Sequence, residues 1–389
     1  MQIPLSRRSA LVKPFLAMEL MERAKALEAQ GRDVIYLSLG EPDFATPAAV
    51  VAATADALAG QATSYTHSLG LLALREEICN HYRRTYGVEI VPEQVLVSSG
   101  TSPLMLLLFS ALLEEGDELV LSDPGYACYP SFVRFAGGVP VTIRTKAGNG
   151  FQPQVDEVKA ALTARSRALL INSPANPAGS ILSGEDLAAL AELPVPIVSD
   201  EIYHGLNYTG TDHTILEYTD NAFVLGGFSK AYAMTGWRLG YLIAPPATMR
   251  GLQVLHQNFM ICANHFVQRA GIVALRDCGA EVERMRRAYD QRRITLVAGL
   301  RRLGFGVHFE PRGAFYVLAD ARHIDGNSQR LALDILEQTG VAVTPGVDFG
   351  SGAEGFLRFS YTRPEEELQV ALGRIETYLQ ERGLLPSLS

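Results

Sequence analysis

Lys230 and Arg238 stand eight residues apart in the stretch GGFSKAYAMTGWRLGY, Gly226 to Tyr241, just after the apolar run Ala222 to Leu225. A lysine following a strand is ordinarily a solvated loop residue. In a partly desolvated pocket beside other cations, the same amine loses part of its hold on the proton and becomes a nucleophile. Three more polar groups directly follow apolar runs. LLINSPANPAGS carries Asn172 and Asn176 in a proline-stiffened turn, PIVSDEIYHGL presents Asp200 and Tyr203, and VLVSSGTSPLMLLL passes through Ser99, Gly100 and Thr101 into a helical pattern. Ser-Gly-Thr before a helix is a capping sequence in its own right. It is also an anion cradle, because glycine permits close approach and the free N–H groups and dipole of a helix start favour negative charge. Taken alone, Asp200 is a turn former; at the end of a buried strand it can instead pair with a protonated ring nitrogen.

The elements that must position these groups show in the hydrophobic pattern. Leu16, Leu20, Ala24 and Leu27 share one face of a helix expected from Phe15 to Ala29, with Gly31 as its stop, and VIYLSLGEPD reads as a strand entering a turn. Beyond Pro47, helical stretches alternate with apolar runs at Val95–Ser98, Glu118–Leu121, Val139–Ile143, Ala168–Ile171, Ile197–Ser199, Ala222–Leu225 and Leu239–Ile243. Runs rich in Val, Ile and Leu and bounded by Gly, Pro, Asn or Asp are strands buried on both faces, so an α/β domain with a mostly parallel seven-stranded sheet is expected. Ligands of such sheets sit beyond the carboxyl ends of the strands, where the polar groups cluster. After a long helical stretch around Val267–Leu303, the strand-like segments FGVHFEP, AFYVLAD, VAVTPG and GFLRFSY predict a smaller α+β domain. The expected division is an N-terminal arm over 1–46, a large domain over 47–285 and a small domain over 286–389, with the arm completing the small domain.

Composition narrows the function classes. Of 389 residues, 48% are hydrophobic and 20% charged, and no apolar run approaches the ~18 residues of a membrane span. A formal net charge of -8 argues against a nucleic-acid surface, and the basic stretch ERMRRAYDQRR is interleaved with acids as a solvated helix face is. Cys79, Cys128, Cys262 and Cys278 have neither disulfide-framework nor zinc spacing, so no metal is expected. LSRRSALVKPF has a twin arginine, but Lys13 and Pro14 follow and no apolar core comes after; the expectation is a cytoplasmic protein. Neither GxGxxG nor GxxxxGK[ST] occurs.

An amine, a carboxylate, an anion cradle and an arginine on neighbouring strand ends supply a partner for each part of one cofactor, pyridoxal phosphate: its aldehyde, ring nitrogen and phosphate. The ordered set GEPDF, SYTHSLGLLALRE, NSPANPAG, SDEIY, SKAYAMTGWRLGY and LRFSY resembles the motifs of fold-type I, class I aminotransferases over nearly the whole chain. Together with the opening LSRR, the resemblance is closest to the subgroup of bacterial aspartate and prephenate aminotransferases. It implies Lys230 as the Schiff-base amine and proton carrier, Asp200 as partner of the ring nitrogen, and Asn176 and Tyr203 as donors to the ring's phenolate oxygen. By the same resemblance Tyr126 of DPGYACYP stacks on the ring. Ser99, Gly100, Thr101 and Arg238 hold the phosphate, with Ser229 beside the lysine, and Tyr65 reaches the phosphate of a neighbouring subunit in an obligate homodimer. Arg358 and the backbone at Gly40 meet the substrate α-carboxylate, alongside Asn176.

Three positions depart from the family pattern. Many relatives carry a serine or threonine where Gly227 stands, three before the lysine. Thr101 occupies the position of a lysine that binds the distal carboxylate in the acidic-substrate subgroup, although Lys13 matches another substrate-side lysine. His67 replaces the proline of YTPxxG. The resulting expectation is ping-pong transamination from a neutral amino acid, apolar or aromatic, to a 2-oxo acid. A carbon–sulfur β-lyase shares Lys230, Asp200 and Arg358 and is the enzymatic alternative. A cofactor-binding transcription regulator would need a helix-turn-helix domain, for which the roughly 40 residues before GEPDF leave little room.

Overall fold

All seven apolar runs between Val95 and Ile243 are strands of one sheet in the computed structural model, which describes residues 6–385; Leu5 of LSRR lies outside them. In chain order the strands are β1 (Ile35–Tyr36), β2 (Val95–Ser98), β3 (Glu118–Asp123), β4 (Val139–Arg144), β5 (Ser166–Asn172), β6 (Ile197–Asp200), β7 (Ala222–Gly227) and β8 (Gly240–Ile243). The large sheet runs β2-β8-β7-β6-β5-β3-β4 and is parallel except for β8, which is antiparallel to both neighbours. Alternate side chains of one strand enter different cores. Ile197, Ala222 and Val224 pack in one cluster, while Val198, Phe223 and Leu225 pack in another. Burial on both faces is what makes these strands read as unbroken apolar runs.

A second sheet consists of β9 (Tyr316–Asp320), β11 (Thr344–Pro345) and β12 (Phe356–Ser360), antiparallel in the order β11-β12-β9. The two-residue β1 pairs in parallel with β10 (Val341–Ala342). The N-terminal helix α1 (Leu16–Ala29) sends Leu20, Ala24 and Leu27 into the same core as Ile335, Leu336 and Val341. Its first turn is tied to that region by Asp348, whose carboxylate accepts from Leu16 N at 2.9 Å and Ala17 N at 3.1 Å.

Two expectations about elements need correction. FGVHFEP is not a strand; its backbone pairs with β9 as an isolated bridge between Gly306 and Asp320, and His308 Nε2 meets Asp320 Oδ2 at 2.9 Å. Pro311, its last residue, has no N–H to extend a ladder. The helical stretch around Val267–Leu303 is two helices, His265–Asp277 and Gly279–Arg302, separated where Cys278 leaves helical geometry (φ -102, ψ 21) ahead of Gly279.

Candidate active site

Sheet register collects the polar groups. Asn172 lies opposite Asp200 and Asp200 opposite Leu225, so β5, β6 and β7 end together. Antiparallel β8 starts at that same edge, with Gly240 paired to both Ser98 and Gly227. The loop carrying Lys230 and Arg238 therefore leaves β7 and re-enters β8 beside the ends of β2 and β6. A cavity of about 360 Å³ opens there, lined by Gly40, Thr101, Tyr126, Asn176, Asp200, Tyr203, Ser229, Lys230, Arg238 and Arg358 among others.

Lys230 Nζ donates to Gly40 O at 2.6 Å and lies 5.9 Å from the ring centroids of Tyr203 and Phe315. Burial pulls its pKa down to about 8, with Arg358 and Arg238 adding to the fall and Glu41 and Asp200 opposing it. Asp200 is 3% exposed. Burial raises its pKa to about 6, while hydrogen bonds from Tyr129 Oη (2.6 Å to Oδ2) and Ile202 N (3.2 Å to Oδ1) hold it down. Tyr129 was not among the sequence candidates. It sits three residues after Tyr126, whose ring meets its own edge-on with centroids 5.1 Å apart.

Arg358, in mid-strand β12, is buried and faces the same cavity. It donates to Asn176 Oδ1 at 2.9 Å, Ser38 O at 2.7 Å and Thr344 Oγ1 at 3.2 Å, and its guanidinium lies 4.3 Å above the Tyr316 ring. Its Nε has no partner, which leaves a buried donor free for an anion. Asn176 is fixed in turn: its N–H donates to Asn172 Oδ1 at 2.8 Å, and Asn172 Nδ2 donates to Asp200 O at 2.8 Å. The Tyr203 and Tyr316 hydroxyls share a 2.9 Å hydrogen bond. A side chain at Gly40 would run into the Tyr316 hydroxyl, so glycine is required there.

The anion cradle is equally specific. Gly100 (φ +101) caps helix Thr101–Leu112, and a Cβ on it would lie 2.7 Å from the Arg238 guanidinium. A Cβ on Gly240 would meet Gly100 C at 2.8 Å and Thr101 N at 2.9 Å. Arg238 adopts left-handed geometry (φ +55), unusual for a side-chain-bearing residue. These glycines and the free amides of the helix start leave space for a phosphate beside one guanidinium. The donor set fits pyridoxal phosphate: an amine with a depressed pKa, a buried carboxylate, this cradle and a buried arginine with a spare donor.

Not every candidate reaches the cavity. Ser99 and Gly100 lead into it without lining it. Tyr65 is 78% exposed and His67 also faces outward. Lys13 lines a neighbouring cavity instead, together with Arg134 and Asp348. At Gly227 a Cβ would lie 2.9 Å from Ile202 Cδ1, and this residue borders a different cavity, whereas Ser229 lines the site. Besides Tyr129, the sequence candidates omitted Tyr316, Glu41, Phe15 and Met18, all of which line the cavity, as does Asn172, which the sequence marked as a strand-end polar group without a role.

A mostly parallel α/β sheet with a half-buried lysine, a buried aspartate and an anion cradle at its strand ends defines a fold-type I pyridoxal-phosphate enzyme. The family model for aminotransferase class I and II matches residues 32–375. An aspartate/prephenate aminotransferase from Thermus thermophilus is 39% identical over 383 residues, covering 96% of this chain and 98% of that protein. A valine–pyruvate aminotransferase from Mycobacterium tuberculosis is 36% identical over 376 residues, covering 95% and 97%. The solved structure of the Thermus thermophilus aspartate aminotransferase with maleate superposes with a TM-score of 0.92 at 38% identity, over 97% of this chain and 100% of that one. The chain belongs to the class I and II aminotransferase family. It is accordingly an enzyme of pyridoxal-phosphate-dependent transamination, and the relatives support that reaction and not β-elimination.

Proposed function

We propose that this aminotransferase takes its amino group from a neutral amino acid, apolar or aromatic, and passes it to a 2-oxo acid. One observation carries the reading: each cation lining the cavity already has a task. Lys230 serves the aldehyde, Arg238 the phosphate and Arg358 the α-carboxylate, while Glu41 adds a negative charge to the wall. Among the described residues, a distal carboxylate would find no free cation there, and burying it unpaired would cost several kcal/mol. The wall contributed by α1, with Phe15, Ala17 and Met18, offers apolar contact instead. The named relatives differ in donor, one being named for aspartate and prephenate and another for valine, so descent alone does not fix it.

When bound, pyridoxal phosphate supplies an aldehyde carbon for the amino group and a ring that accepts the electrons of the broken Cα–H bond. Lys230 Nζ takes the proton from substrate Cα and returns one, a task suited to an amine with pKa about 8. Asp200 keeps the ring nitrogen protonated, and Arg358 grips the α-carboxylate, backed by Asn176 and the Gly40 backbone. Tyr203 and Asn176, which line the cavity, would donate to the phenolate oxygen, and Tyr126 would cover the ring. Thr101, Gly100, Ser99, Ser229 and Arg238 would hold the phosphate.

A homodimer is part of the proposal. Tyr65 is 78% and Phe259 76% exposed, and their segments are joined by Thr66 N donating to Cys262 Sγ at 3.4 Å. That apolar surface supports a second subunit covering it, with Tyr65 reaching that subunit's phosphate. Four unbonded thiols support a cytoplasmic setting; among the described residues no helix is long and apolar enough to cross a membrane. The division at 46/47 and 285/286 is supported by the large sheet falling in 47–285, though the second boundary lies inside helix Gly279–Arg302. Specificity constants for leucine, methionine, phenylalanine and alanine should exceed that for aspartate; a higher constant for aspartate overturns the neutral-donor reading.

A further inference from the structure

One residue beyond Asp200, Glu201 borders a second cavity, of about 310 Å³, which shares no lining residue with the active site. Glu201 is 4% exposed. Its Oε1 is saturated, accepting from Ser199 Oγ at 2.9 Å, Thr214 Oγ1 at 3.0 Å and Ile215 N at 3.1 Å. Its Oε2 is buried without a hydrogen bond. Asp212, on the same cavity, repeats the pattern: Oδ2 accepts from Gly205 N at 2.7 Å, and Oδ1 is buried and unpaired. Each such acceptor is destabilising until it finds a donor. Tyr82, Tyr86, Tyr232 and Tyr241 form the aromatic part of the wall.

The cavity's own basic groups do not meet this need. Arg84 is turned to Glu77 at 2.8 Å. His204 Nδ1 lies 3.5 Å from Glu201 Oε2 and is engaged by the Tyr86 hydroxyl at 2.8 Å. His81 is pushed down to about 4, by burial first and then by Arg84 and His204, and is neutral at neutral pH. Among the described residues no group of three His, Cys, Asp or Glu side chains is placed to hold a metal ion. Two carboxylate oxygens that accept no hydrogen bond, one of them 3.5 Å from His204 Nδ1, and several tyrosine rings match a cation that brings N–H donors and a polarisable face.

We propose that this cavity binds a small organic cation bearing N–H donors, of the guanidinium or ammonium class, with Glu201 Oε2 and Asp212 Oδ1 as acceptors. Its charge would lie beside Glu201 and offset the repulsion that Glu201 exerts on Asp200, linking occupancy to the active site. The test is calorimetric titration of the cofactor-loaded enzyme with methylguanidinium and, as a neutral planar comparator, methylurea, at fixed ionic strength. Neither probe carries a primary alkylamine that could react with the cofactor aldehyde. Methylguanidinium should bind saturably, one per chain, and at least about tenfold more tightly than methylurea. Glu201→Gln and Asp212→Asn should each weaken it by about tenfold or more; the second change, on a half-buried loop residue, keeps the test open if the first fails to fold. Lack of saturation, a smaller preference over methylurea, or affinity retained in Asp212→Asn overturns the proposal.

Discussion

Tyr129 and the Ile202 amide hold Asp200 between two charge states. Removal of the Tyr129 hydroxyl takes away a charge-assisted hydrogen bond worth ~1.5–3 kcal/mol, or about one to two pKa units. In Tyr129→Phe, cofactor-loaded enzyme should lose ring-nitrogen protonation at lower pH, read from its absorption spectrum, with kcat reduced about tenfold and KM for the donor little changed. The sign of the linked stability also follows. A carboxyl whose folded pKa is raised, here from 3.8 to about 6, binds more protons folded than unfolded in that window, so its contribution is present at low pH and lost as pH rises through 6. Asp200→Asn, which cannot ionise, should therefore gain on the wild type by ~3 kcal/mol between pH 4 and 7 in cofactor-free melts. Lys230 shifts the other way: its neutral fraction grows about tenfold per pH unit up to about 8, so the rate of cofactor loading should rise with pH and level off there.

At the scale of elements, the site depends on how closely β8 passes the start of helix Thr101–Leu112. Gly240→Ala would force a methyl into Gly100 C and Thr101 N, shifting the cradle from Arg238. Overpacking of this kind costs ~1–3 kcal/mol, and cofactor affinity, measured by equilibrium dialysis, should fall by more than about tenfold; unchanged affinity would show that β8 does not set the cradle. The sequence made this arrangement legible at the strand ends, because Asn172, Asp200 and the Lys230 loop each terminate a run buried on both faces. It did not reveal Tyr129 or Tyr316. Tyr129 has the spacing of a core aromatic on a short helix, and Tyr316 lies within the apolar strand β9. What gives each a place in the site is a contact remote in sequence: Tyr129 with Asp200, Tyr316 with Tyr203 and Arg358. The break at Cys278 was hidden for a similar reason, since apolar periodicity continues on both sides of it.

For the whole molecule, α1 and the C-terminal sheet close over the strand ends of the large sheet, so Arg358 and the Phe15–Met18 wall face Lys230 from the other side. Tyr65 remains outside that cavity, and the proposed partner subunit would give it a role. Phe259→Asp should shift the enzyme toward monomer in sedimentation and lower activity in proportion, while a dimer that survives would place the interface elsewhere. The proposed function assigns to Lys230 the transfer of the Cα proton of a neutral donor. It is tested most directly by stopped-flow half-reactions of cofactor-loaded wild type and Lys230→Ala with leucine and with aspartate, following the change in cofactor absorption. The wild type should convert leucine faster than aspartate at equal subsaturating concentration, and Lys230→Ala should slow leucine by about 10²–10⁴-fold or more while still binding it. Conversion by Lys230→Ala at a rate near wild type would contradict the account.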